Sequence, residues 1–174
     1  MDARTESERT PMSNPTTVER KSELELVITR TFNGPARLVY DAWTKPELLM
    51  QWWAPKSFGV SFISCEADVR PGGKYRFVFS HPSAPEPVAF FGKYLEVIPN
   101  ERLVWTNEEG ADGGQVTTVT FEAIGGQTRV VMHDRFPTKE ALEAEGIDAA
   151  EGMKMTFGQL DEFLAAHGAS AGRN

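Results

Sequence analysis

Hydrophobic and polar positions alternate along most of this chain, and the period of the alternation changes twice. In "ELELVITRTF", Leu24, Leu26, Ile28 and Phe32 share one parity among polar neighbours, the pattern of a strand with one buried face. "GPARLVYDAW" then carries Leu38, Val39, Ala42 and Trp43 at helical spacing, with a proline in the first turn. Thr44 is placed to cap a second short helix that has Pro46 in its first turn and ends at Trp52 and Trp53. From Val60 to Phe136 the period returns to two, interrupted by glycine turns.

Those turns allow register to be argued. A three-residue loop at Pro71-Gly72-Gly73 sets Val69 against Tyr75, Ala67 against Phe77, Cys65 against Phe79 and Asp68 against Arg76. A two-residue loop would pair Asp68 with Phe77, which is chemically worse. A two-residue turn at Gly125-Gly126 sets Phe121 against Val130, Val119 against Met132 and Glu122 against Arg129. Between these hairpins, "AFFGKYLEVIPNERLVWTN" reads as a third, matching Val97 with Leu103 and Leu95 with Trp105. Six such strands and the N-terminal one predict a seven-stranded antiparallel sheet with one strongly apolar face.

Such a face needs a cover. After Phe136-Pro137 a short helical piece is expected to stop near Gly146, with Asp148 and Glu151 opening a new helix as a capping box. That helix repeats Ala150, Met153, Phe157, Leu160 and Leu164 on one side and ends at Gly168. It would be about 28 Å long at 1.5 Å per residue, enough to cross the sheet. One helix is too narrow to fill the hollow of a twisted sheet, so either large side chains plug the remainder or a cavity persists. The pattern divides the chain into a polar, disordered tail over residues 1–21, a domain over 22–168 and a frayed end over 169–174.

Composition narrows the function classes. The net charge of −7 disfavours phosphate backbones and anionic membranes, so neither nucleic acid nor membrane is expected as a partner. No apolar run approaches the roughly 20 residues of a membrane span. The lone cysteine, Cys65, cannot form an internal disulfide, which fits a cytoplasmic protein. A single cysteine and histidines without ligand spacing predict no metal, and no cofactor motif is present.

The segments "RTFNGPARLVYDAWTKPELLMQWWAP", "DVRPGG", "GKYLEVIPNERLVWT", "VTFEAIGGQTRV" and "EGMKMTFGQLDEFLA" come in an order that resembles bacterial homologues of the activator of heat-shock-protein-90 ATPase, within the START-like, SRPBCC superfamily. The resemblance runs from about Leu24 to Ala166. It implies an α+β helix-grip fold, with a curved antiparallel sheet wrapped around a long C-terminal helix and a hydrophobic pocket between them. Relatives in the superfamily bind lipids, polyketides or plant hormones, and some cyclise or hydrolyse their ligands. The fold alone does not select among these.

The predicted inner face defines a candidate ligand site. Tyr75, Phe77, Phe79, Leu95, Trp105, Val119, Phe121 and Met132 line the sheet side. Met153, Phe157 and Leu160 approach from the helix, Trp53 is counted with the site, and Trp52 and Trp53 are expected to split roles, one buried and one at the pocket mouth. His81 and Asp134 fall on the same face near strand ends and, with Tyr75, are the polar groups able to orient a ligand or take a proton. The leading expectation is binding of a small hydrophobic or aromatic molecule beneath the C-terminal helix, without an assigned reaction. The alternatives are a cyclase- or hydrolase-type enzyme acting on such a ligand, and a chaperone co-factor or stress-response interaction protein. A homodimer is compatible with all three.

Overall fold

A computed structural model of the chain describes residues 15–53, 59–108 and 114–172. Strands β2 (Glu25–Phe32), β3 (Ser61–Ala67), β4 (Lys74–Ser80), β5 (Val88–Ile98), β6 (Arg102–Asn107), β7 (Gln115–Ile124) and β8 (Gln127–Arg135) form one antiparallel sheet with an eighth strand, β1 (Thr17–Arg20). The order is β1-β2-β8-β7-β6-β5-β4-β3, so the last strand returns beside the first long one. Helices α1 (Ala36–Thr44) and α2 (Pro46–Leu49) lie between β2 and β3. Helix α3 (Lys139–Ala141), a π-helical turn (Leu142–Gly146) and the long α4 (Ile147–Gly172) follow β8. Among the described residues no helix is long and apolar enough to cross a membrane.

The sheet has eight strands where seven were expected. β1 falls in the segment predicted to be a disordered tail, and it pairs with β2 from Thr17↔Thr29 to Arg20↔Leu26. Its apolar content is a single valine, Val18, too little to signal a strand by period. Thr16 accepts a 2.8 Å hydrogen bond from the Arg30 guanidinium, and Arg20 reaches Glu143 at 3.1 Å, so side chains tie this segment down. Residues 1–14 of the expected tail and 173–174 of the expected frayed end lie outside the described residues, and the last helix runs past the expected stop at Gly168 to Gly172.

The β7–β8 register is the expected one, with Phe121↔Val130, Val119↔Met132 and Glu122↔Arg129. The β3–β4 hairpin differs by two residues: Ala67 faces Tyr75, Glu66 faces Arg76 and Cys65 faces Phe77. Its loop is longer because Asp68 and Gly73 close it from within, through Asp68 N–H to Lys74 O and Gly73 N–H to Arg70 O. A slip of two keeps the side chains from Ser64 to Ala67 on their predicted faces, while a bulge between Phe62 and Ser64 sets Phe62 opposite Phe79. In the β5–β6 hairpin Val97 meets Leu103 as expected, but a bulge between Tyr94 and Glu96 then sets Tyr94 opposite Trp105. Leu95 is turned outward and is 46% exposed.

The helical region also departs from expectation. Thr138, not Asp148, caps it, its hydroxyl accepting from Ala141 N–H at 3.0 Å. Instead of stopping at Gly146 the backbone runs through the π turn into α4 with helical angles at Ile147. Gly146 is there for close approach: a Cβ would come within 2.5 Å of Phe136 Cζ. Thr44 likewise does not cap α2; its hydroxyl donates back to Tyr40 O at 2.9 Å.

α4 contributes buried side chains to the core. Phe157 and Leu160 are fully buried, Leu164 is 1% exposed, and the Phe157 ring sits 5.2 Å from Phe32. α4 is fastened at two further points. Arg30 on β2 pairs with Asp161, and Gln159 Nε2 donates to Trp52 O at 3.0 Å.

Candidate functional site

The tryptophan-rich segment is held by a substitution for a missing helix bond. Ala42 O would ordinarily accept from the residue four positions on, but that residue is Pro46, which has no N–H. Trp52 Nε1 donates to Ala42 O instead, at 2.9 Å. This buries Trp52 completely and leaves the next residue, Trp53, half-buried beside it. Trp43 is the hub of the cluster, with ring centroids 5.0 Å from Trp52, 5.6 Å from Trp53 and 6.1 Å from Trp105.

Beside this cluster a pocket opens between the short helices and the β4–β6 part of the sheet. Trp43 of α1, Leu49 of α2 and Trp53 form one wall. Tyr75 and Phe77 of β4, Phe90 and Tyr94 of β5, and Trp105 and Asn107 of β6 form the other. The cavity volume is about 40 Å³. Phe90 shares the inner face with Phe77 and Phe79 but remains 40% exposed, whereas Phe77 and Phe79 are 7% and 6% exposed.

Glycine shapes the polar end. Gly92 pairs with Tyr75, and a Cβ there would overlap the Thr106 carbonyl oxygen. With that space open, the Tyr75 hydroxyl donates to Thr106 O at 2.6 Å and lies 3.3 Å from Asn107 Oδ1. Asn107 Nδ2 donates to Thr117 Oγ1 at 2.9 Å, and Thr117 Oγ1 donates to Asp134 Oδ1 at 2.6 Å. Burial raises the Asp134 carboxyl above the ordinary range, and hydrogen bonds from Thr117 and Gln115 only partly offset it. Burial also raises the Tyr94 hydroxyl. It pushes the Cys65 thiol up to about 11, helped by Glu47 and Glu66, so Cys65 is a weak nucleophile.

Of the predicted site residues, the pocket wall brings together Trp53, Tyr75, Phe77 and Trp105. Phe79, Val119, Phe121, Met132, Phe157 and Leu160 are buried in the core, and Met153 packs against it half-buried. Leu95 faces outward because of the β5 bulge. His81 lies just past the end of β4, where its Nδ1 sits 3.1 Å from Ser83 N and 2.8 Å from Ser83 Oγ in a local turn. Asp134 is inward, as expected, but reaches the pocket only through Thr117 and Asn107. No α4 residue stands in the wall of this pocket, which lies to one side of the position expected beneath the C-terminal helix. Trp43, Leu49, Phe90, Tyr94 and Asn107 were missed. The "AWTKPELLMQWW" segment signalled the first two, whereas Tyr94 depended on a bulge that periodicity does not register.

Comparison with known proteins places this architecture. The family model described as "Activator of Hsp90 ATPase homolog 1-like protein" matches residues 33–165. None of the curated proteins compared with the chain matches it. Among solved structures, protein NE0264 from Nitrosomonas europaea is 28% identical, with a TM-score of 0.76 over 86% of this chain and 99% of that one. A Rhodobacter sphaeroides protein is 24% identical, with a TM-score of 0.78 over 87% and 98% of the two chains. Protein Ms6760 from Mycobacterium smegmatis is 24% identical, with a TM-score of 0.73 over 88% and 99%.

Proposed function

The chain belongs to the Activator of Hsp90 ATPase homolog 1-like family, and on that footing we propose that it binds a small apolar molecule in the pocket between α1–α2 and strands β4–β6. One observation carries the reading: Phe90, a large aromatic on the concave face, stays 40% exposed while the rings around it are buried. Core packing gives no reason for an inward-facing ring to remain wet. An apolar guest that covers it does.

The open volume of about 40 Å³ is smaller than the roughly 150 Å³ cavity that takes up benzene. A guest of that size enters by turning the aromatic side chains of the wall that are not fully buried, the half-buried Trp53 and the exposed Phe90. Trp43, Tyr94 and Trp105 stay fixed by burial and give the guest flat surfaces to stack on.

Tryptophan fluorescence titrated with indane, a rigid bicyclic hydrocarbon, tests this. The reading predicts a saturable change. Leu49→Phe, which narrows the pocket, weakens binding about tenfold, the equivalent of about 1.4 kcal/mol. Leu160→Met, under α4, leaves it unchanged. Equal loss in both variants, or no saturation in the native chain, would remove the pocket from the function.

A further inference from the structure

The polar end of the pocket has a direction. Thr117 spends its only hydroxyl hydrogen on Asp134 Oδ1 and must therefore accept from Asn107. This turns the Asn107 amide with its nitrogen toward Thr117 and leaves Oδ1 near the Tyr75 hydroxyl, 3.3 Å away. The amide nitrogen carries two hydrogens, and Thr117 takes one of them. Asn107 stands in the pocket wall, and its second amide hydrogen is not the one given to Thr117.

A second observation points to the same chemistry. The ring of Trp43 is part of the wall, and its indole N–H is buried without a hydrogen-bond partner. An indole nitrogen can only donate, and a buried donor normally has an acceptor. The wall thus contains one residue with a buried unpartnered donor, Trp43, and one amide with a hydrogen that Thr117 does not take. Tyr94, whose hydroxyl can give or take, does not reverse that balance.

We propose that the pocket selects an apolar molecule bearing one hydrogen-bond acceptor, a ketone or similar carbonyl oxygen, over a hydrocarbon or an amine of the same shape. Asn107 is the specificity-determining residue, and Thr117 and Asp134 position it. The inference rests on the pocket being a ligand site, as argued above. A site built with oriented donors discriminates because an analogue lacking the acceptor leaves those donors unpaired.

The test compares indane, 1-indanone and 1-aminoindane, which share one bicyclic frame, by tryptophan fluorescence on the full chain. The native protein binds 1-indanone at least about tenfold more tightly than either of the others, a modest margin for an oriented donor. Asn107→Leu abolishes that preference. Thr117→Val, nearly isosteric and free of the bond that orients the amide, reduces it, which keeps the test informative if Asn107→Leu folds poorly. Equal binding of all three molecules, or a preference that survives both variants, overturns the proposal while the pocket remains a ligand site. No saturable response to any of the three overturns both.

Discussion

Trp43 and Trp52 sit 5.0 Å apart, and their indole nitrogens live in opposite circumstances. Trp52 donates to the carbonyl that Pro46 leaves unpaired, whereas Trp43 has a buried N–H with no acceptor. Replacing either by phenylalanine removes a similar volume. Trp52→Phe also orphans Ala42 O, while Trp43→Phe removes an unsatisfied donor. Urea denaturation should therefore show Trp52→Phe to be the more destabilising by about 2 kcal/mol; equal losses would contradict the assignment. Asp134 supplies a pH test. Its folded carboxyl is raised by burial, so the fold favours the protonated form and loses stability as pH rises from the unfolded value, about 3.9, toward the folded one. Asp134→Asn keeps an acceptor for Thr117 without the ionisation. Its urea midpoint should exceed that of the native protein at pH 7, and the difference should vanish near pH 4. A variant less stable at pH 7 than at pH 4, relative to native, would contradict the sign. Glu25 works the other way. The His133 hydrogen bond lowers its pKa, so its contribution is present above the unfolded value and is lost as pH falls through the folded one.

At the scale of elements, strands were legible wherever a long alternating run met a glycine turn. The β7–β8 ladder is the clear case, because buried and less buried positions alternate from Val116 to Glu122 and throughout β8, on either side of Gly125-Gly126. β1 was invisible because four residues with one valine carry no period, and its pairing depends on β2 being already in place. The break expected at Gly146 failed for a different reason. Glycine there serves the packing of Phe136 and not a helix end. Helix propensity alone says Gly146→Ala should stabilise by about 1 kcal/mol. The contact with Phe136 says it should destabilise by about 1–3 kcal/mol, and thermal denaturation separates the two. The Arg30–Asp161 pair between β2 and α4 is nearly enclosed, with side-chain exposures of 8% and 14%. Asp161→Ala leaves a buried guanidinium uncompensated and should cost about 3 kcal/mol in the same measurement, with little dependence on salt.

Across the whole molecule, the sequence announced a curved antiparallel sheet and a C-terminal helix, and both are present. It did not announce how the hollow is shared. α4 buries Phe157, Leu160 and Leu164 in the concavity, while the described pocket lies to one side, where α1, α2 and Trp53 cover β4 to β6. That division depends on side-chain volumes meeting in space, which hydrophobic period does not encode. Register kept Tyr75, Phe77 and Trp105 on one face despite the slip of two in β3–β4, and the pocket wall brings them together with Trp53. The most direct measurement is a ¹H–¹⁵N spectrum of the full chain during titration with indane. Saturable shifts should centre on the indole N–H signals of Trp43, Trp53 and Trp105 and on the Asn107 side-chain amide, with little change in backbone amides from Ala150 to Leu164. Shifts centred on those α4 amides, or no saturable shift at the indoles, would contradict the account.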